Sequence, residues 1–182
     1  MKLFRKTTTA VLVFVLTVIL SILFSGHMKL SSEANQVLDI FYEGERKDGL
    51  SIYTDLKDLV DASRNIVSLT QKFMDPSAVE LTSLNDAISD FSSADSPAEY
   101  YEIYSRIVAN MDDVSALFVI YCDDDAAMKL FEDSAAVFAS KMNTISYDPY
   151  NRYVREYNKL LEQFPAKVIA KLTGVKEVSA FE

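Results

Sequence analysis

Chain breakers are scarce. The 182 residues include four glycines and four prolines. So few interruptions between long apolar periods exclude a fold of many short turns and favour helices over strands. A single cysteine, Cys122, excludes an internal disulfide and any zinc site built from several thiolates. As a lone small thiol it is expected to be buried. No cysteine follows the N-terminal apolar run, so the acceptor of a lipid-modified lipoprotein is missing. The only histidine is His27, and no Gly-rich phosphate loop, nucleophile elbow or His-Glu metal helix occurs. Carboxylates are many, but no pair stands at a spacing recognisable for acid–base work. No enzymatic activity, cofactor or metal is expected.

Positive charge is short in the middle of the chain. Residues 26–145 carry 9 basic and 22 acidic side chains, a net of −13. Residues 146–182 carry 6 basic and 5 acidic ones, a net of +1. Phosphate backbones demand a basic surface, so no nucleic-acid partner is expected. An acidic surface keeps a domain soluble and self-repelling.

The N-terminus lacks charge altogether from Thr7 to Met28. About 22 helical residues at roughly 1.5 Å each span the ~30 Å hydrocarbon core. Of the fourteen residues from Val11 to Phe24, twelve are Val, Leu, Ile or Phe. Lys2, Arg5 and Lys6 precede the run, whereas only His27 and Lys29 follow it closely. The positive-inside bias places the N-terminus in the cytoplasm and the remainder outside. A cleaved signal peptide fits this layout less well. Cutting after Ser25 or Gly26 puts Leu23 or Phe24 at the −3 position, where a small residue belongs. A pilin-type leader lacks its Gly site and its internal Glu. Residues 1–28 therefore read as a basic segment and transmembrane signal anchor, with membrane lipid as the partner of residues 7–28.

Beyond the anchor the helix is expected to continue to Glu43 and to end at Gly44 and Asp48-Gly49. Ser51 to Met74 predicts a second helix with Tyr53, Leu56, Val60, Val67 and Met74 on its apolar face. Ser77-Ala78-Val79-Glu80 reads as a capping box after Asp75-Pro76. It opens a short helix with Leu81, Leu84, Ile88 and Phe91 inward, and Ser92 to Asp95 form a polar linker. Ser96-Pro97-Ala98-Glu99 is a second capping box with Pro at the favoured first position. Behind it Tyr100, Tyr104, Ile107, Met111, Val114, Phe118 and Tyr121 step alternately by four and three, an a/d seam for coiled-coil-like packing. Asp123-Asp124-Asp125 suits a helix start better than a metal site, since adjacent carboxylates diverge. Phe131, Ala135, Phe138, Met142 and Ile145 mark the next helix, and Asp148-Pro149 starts a final one with Tyr150, Tyr153, Tyr157, Leu160 and Phe164 inward.

The fold class is all-α: an N-terminal transmembrane helix followed by an antiparallel up-and-down helical bundle over residues 29–174, with 175–182 as a C-terminal tail. If the helices flanking Asp123 form a hairpin, Tyr100 lies opposite Tyr147. The final helix then needs another surface: the short helix near Ile88, the membrane-proximal helix near Val37, or another protein.

One motif stands out. In Tyr150-Asn151-Arg152-Tyr153-Val154-Arg155-Glu156-Tyr157-Asn158 a Tyr-Asn pair recurs after seven residues, followed by Phe164-Pro165, an apolar-basic stretch and Gly174. Tyr150, Tyr157 and Phe164 share one heptad face, and Asn151 and Asn158 lie beside it. A buried Asn can bridge backbone or Tyr hydroxyls of a neighbour and set register. These residues, with Pro165, are the candidate binding residues. They serve either packing and register or the capture of a partner. Val168, Ile169 and Leu172 with Lys167 and Lys171 form a short amphipathic piece that either caps the bundle or rests on anionic lipid.

This motif resembles the C-terminal part of the LemA family. The resemblance is strongest over 147–174. It extends more weakly through the second helix, where Leu56-Lys57 and Asn65-Ile66-Val67 fit, although the Arg and Pro usual there are absent. It implies a divergent member: a membrane-anchored bundle of the bacterial cell envelope, without established activity, associating with envelope or membrane proteins such as a membrane protease. It carries over no catalytic residue. The functional expectation is a non-enzymatic interaction or scaffold protein. The rival is an extracytoplasmic ligand-sensing bundle, which would act through a partner membrane protein because no second membrane helix or output domain follows.

Overall fold

A computed structural model describes residues 2–182, with side chains from Thr7 onward. The side chains of Lys2, Arg5 and Lys6, on which the orientation rests, lie outside the described residues. The chain is all-helical, with no strand among the described residues. The elements are α1 (Lys2–Glu43), α2 (Ile52–Thr70), α3 (Val79–Asp90), a 3₁₀ turn (Phe91–Ser93), α4 (Pro97–Tyr121), α5 (Asp125–Tyr147), α6 (Tyr150–Leu161) and α7 (Ala166–Thr173).

They fall into two compact units. The first comprises α1 as far as Leu38 and Tyr153–Val178; the second comprises Asp39–Arg152 and Ser179–Glu182.

In the first unit α1 changes character along its length. From Thr7 on it is long and apolar enough to cross a membrane, with mean hydropathy 2.5 in a window of which nothing is buried. Farther along, Leu30 and Val37 are buried. From the other segment Val154, Tyr157, Leu161, Ala166, Ile169 and Ala170 are buried.

The second unit is a helical bundle centred on α2. Thr54 N–H donates to Ser51 Oγ, which caps α2. The helix ends at Thr70, short of Met74, and its core face is Ile52, Leu56, Leu59, Val60, Ile66 and Val67. Tyr53 and Met74 are only half-buried. The helix α5 runs antiparallel along α2: Lys141 Nζ bridges Asp55 at 2.8 Å and Asp58 at 2.7 Å. Toward the other end Leu130 lines a groove with Asn65 and Leu69. Helices α2 and α4 run parallel, as alternation in a bundle requires, with Tyr53 against Tyr100 and Phe73 against Phe118. The ion pair of Arg106 with Asp90 ties α4 to the end of α3.

Two local expectations need correction. Ser77 is not a helix cap: its N–H and hydroxyl both donate to Asp75 Oδ1, at 2.9 and 2.7 Å. That Asx turn takes the side chain before the helix begins, and α3 starts after Ala78 without a side-chain cap. The α4–α5 pair is also not a closely packed hairpin. The two meet where Phe118 stacks on Phe131 at 4.4 Å, while α4 lies chiefly against α3 and α5 against α2. Tyr147 is exposed.

Other caps follow the sequence. Glu99 N–H donates to Ser96 Oγ, and the Glu99 carboxylate accepts from Asp95 N–H, one residue before the box position. Asp124 Oδ1 accepts from the N–H groups of Ala126 and Ala127. The α4 seam buries Tyr100, Ile107, Met111, Val114 and Phe118, joined by Ile103, but Tyr104 is half-buried and Tyr121 exposed. On α5 Phe131, Phe138 and Ile145 are buried, whereas Ala135 and Met142 are half-buried. Cys122 is half-buried, its Sγ 3.5 Å from Asp124 O.

Candidate functional site

The Tyr-Asn motif opens α6. Tyr150 N–H donates to Asp148 Oδ1 at 2.8 Å, so Asp148 caps the helix as the Asp-Pro pair suggests. Burial raises the Asp148 carboxyl above its ordinary value. From this start the two Tyr-Asn pairs each grip a segment of the C-terminal tail.

In the second unit Asn151 Nδ2 donates to Phe181 O at 2.7 Å, and Phe181 N–H donates to Asn151 Oδ1 at 2.8 Å. The carboxamide thus satisfies both backbone groups of one residue, as a neighbouring strand would. The Tyr150 hydroxyl donates to Ser179 O at 2.7 Å. Tyr150 is fully buried, which pushes its phenol well above the ordinary range. Phe181 enters an aromatic cluster: its ring lies 6.0 Å from Phe41, 5.2 Å from Tyr101 and 5.6 Å from Tyr104. Phe41 in turn lies 5.7 Å from Tyr100 and 5.2 Å from Tyr150. Burial pushes the Tyr100 phenol up to about 12.

In the first unit the same device recurs on Val178. Asn158 Nδ2 donates to Val178 O at 2.9 Å, and Val178 N–H donates to Asn158 Oδ1 at 3.0 Å. The Tyr157 hydroxyl lies 3.3 Å from Leu30 O and 3.5 Å from Lys176 O. It has one proton and serves one carbonyl at a time.

Tyr150, Asn151, Tyr157 and Asn158 all spend their polar groups on the chain itself.

Phe164 and Pro165 do not join them. The helix α6 stops at Leu161, and Phe164 is 87% exposed. The inward residues are Tyr150, Val154, Tyr157 and Leu161, so the apolar face turns by one residue from the expected Tyr153, Leu160 and Phe164. The same happens in α7, where Ala166, Ile169 and Ala170 are buried while Val168 and Leu172 face out.

Sequence reasoning missed the tail's part. Val178 and Phe181 stand three apart, a single interval that one turn of helix would also give, so it does not by itself mark a non-helical tail. Among the described residues no group of three or more His, Cys, Asp or Glu is placed to hold a metal ion. No protein-family model and no curated protein matches the chain.

Proposed function

We propose that this chain is a non-enzymatic, membrane-anchored interaction or scaffold protein of the bacterial cell envelope, akin to the LemA family, with its N-terminus cytoplasmic and its bundle outside. The observation that supports this reading is α1. Of its twelve Val, Leu, Ile and Phe side chains between Val11 and Phe24, all but the half-buried Leu23 are 42–70% exposed, while Leu30 and Val37 of the same helix are buried. An apolar surface of that extent suits acyl chains, not water. The partner expected is an envelope or membrane protein such as a membrane protease. The last turn of α4, which exposes Val119, Ile120 and Tyr121, adds to the interaction reading.

The native Cys122 provides the test. A membrane-impermeant thiol reagent applied to intact cells is expected to label it; labelling only after lysis would refute the orientation. The Ser92→Cys variant on a Cys122→Ser background repeats the test at an exposed position. Mild crosslinking should recover one envelope protein reproducibly; recovery of lipid and abundant bystanders alone would count against the scaffold reading.

A ligand-sensing bundle is the second reading. The feature in its favour is an open groove of about 370 Å³ between α2 and α5, lined by Asp58, Asp61, Asn65, Leu130, Asp133 and Ser134. Thermal stabilisation by a pool of small cationic metabolites would support it; an unchanged melting temperature would refute it.

A further inference from the structure

Three observations in the first unit converge on α7. The first is its height on α1. Ile169 packs directly on Gly26: a Cβ placed there would lie 2.6 Å from Ile169 Cδ1. Gly26 comes two residues after Phe24, the last of the twelve Val, Leu, Ile and Phe residues of the apolar run, near the end of the uncharged stretch at Met28. Two residues are about 3 Å of helix rise. Tyr157 of α6 is level with Leu30, one turn farther along α1, so the segment from α6 to α7 approaches the apolar run as it proceeds.

The second is what α7 exposes. Its buried face, Ala166, Ile169 and Ala170, accounts for its packing. On the outer side Val168 is 48% and Leu172 65% exposed, one turn apart on a single ridge, and Phe164 just before the helix is 87% exposed. Phe24 and Met28 of α1 are exposed at the same level, at 70% and 57%.

The third is charge. Lys167 and Lys171 stand one turn apart beside that ridge, both exposed, and α7 contains no acidic residue. Residues 26–145, by contrast, carry a net of −13.

We propose that α7 and the Phe164-Pro165 turn lie in the headgroup layer of the leaflet from which α1 emerges. Phe164, Val168 and Leu172 dip into the acyl boundary, and Lys167 and Lys171 sit on anionic headgroups. This inference rests on α1 being the membrane anchor. A lipid surface explains the three observations together, because an exposed apolar ridge flanked by lysines, level with the end of an apolar span, meets acyl chains and phosphates there.

The chain contains no tryptophan, so one introduced residue is a clean reporter. Val168→Trp, Leu172→Trp, Phe14→Trp and Ser92→Trp forms of the full chain are reconstituted in vesicles of phosphatidylcholine with one part in three phosphatidylglycerol. The expected result at 168 and 172 is blue-shifted emission, strongly quenched by lipids brominated near the headgroup end of the acyl chain. Phe14→Trp should be quenched by bromines at mid-chain, and Ser92→Trp by neither. Quenching at 14 without quenching at 168 or 172 would overturn this inference and leave the anchor standing. No quenching at 14 would remove the anchor and the inference with it. A blue shift at 168 and 172 that persists in detergent and grows with protein concentration would mean a second copy covers the ridge, and would also overturn it. Replacing Lys167 or Lys171 by Gln should lower the docking equilibrium constant by roughly fivefold each in the anionic vesicles. An unchanged constant would refute the headgroup contact.

Discussion

Asn158→Ala tests the clamp at its simplest. The side chain makes two hydrogen bonds to one residue, at 2.9 and 3.0 Å, and alanine removes both. Each such bond contributes about 1 kcal/mol net. Asn158 is half-buried, so water reaches the vacated groups in part and the full penalty of an orphaned buried amide does not apply. The expected loss is therefore about 2 kcal/mol of local stability, or ~30-fold at 1.36 kcal/mol per tenfold. Amide hydrogen exchange in the reconstituted full-length protein reads this at a defined atom, because Val178 N–H is the group Asn158 protects. Its exchange should accelerate by about 30-fold, with a smaller change at Phe181, whose amide is held by Asn151. Asn151→Ala should reverse the pattern. Asn158→Asp keeps the acceptor but faces Val178 O with a carboxylate oxygen, so it should loosen Val178 at least as much as alanine does. Unchanged protection of Val178 in the alanine variant would refute the clamp. Equal acceleration at both amides in both single variants would refute two locally acting carboxamides.

Two further outcomes follow from the second unit. Gly44 ends α1 at φ +90°, and a Cβ there would meet Leu50 O at 2.5 Å; Gly44→Ala should cost at least about 1–2 kcal/mol, seen as a lower melting temperature, and an unaltered one would refute the steric argument. Burial raises the phenols of Tyr42, Tyr100 and Tyr104 above the ordinary 10.0. The native chain then holds protons that the unfolded chain has released, so stability is intact below about pH 10 and falls as pH rises toward about 12, the Tyr100 value. Near-ultraviolet titration of tyrosinate against helicity checks this. Ionisation of all ten tyrosines in one ordinary step while the helices persist would refute it.

The helices were legible where a local signal had no competitor. Ser51, Ser96 and Asp124 cap as their patterns suggest, and the Ser51 hydroxyl does so while also donating to Tyr42 O at 3.1 Å. Ser77 carries the same pattern and fails, because Asp75 two residues earlier captures it. Apolar periods located the buried faces of α2 and α4 but overran helix ends. Phe164 continues the heptad of Tyr150 and Tyr157 on paper, yet the helix has stopped at Leu161 and the phase no longer applies. The Tyr-Asn repeat was visible as a motif for bridging and register. Its target was not: the bridged groups are backbone atoms of a tail whose side chains carry no period. Backbone acceptors are common to every residue, so a sequence does not show which of them a carboxamide will find.

The ring of Phe41 against Phe181 also dictates an order of events. A ribosome delivers Phe41 early and Phe181 only after all of α2 to α7 has been made. Through that interval one wall of the aromatic cluster is bare, and no local contact substitutes for it. Closure depends on the joining of distant segments, which is slow compared with helix formation. A nascent chain of this protein therefore passes through a helical stage with an open aromatic face. That stage is when a chaperone, or a misplaced neighbour, has its opportunity.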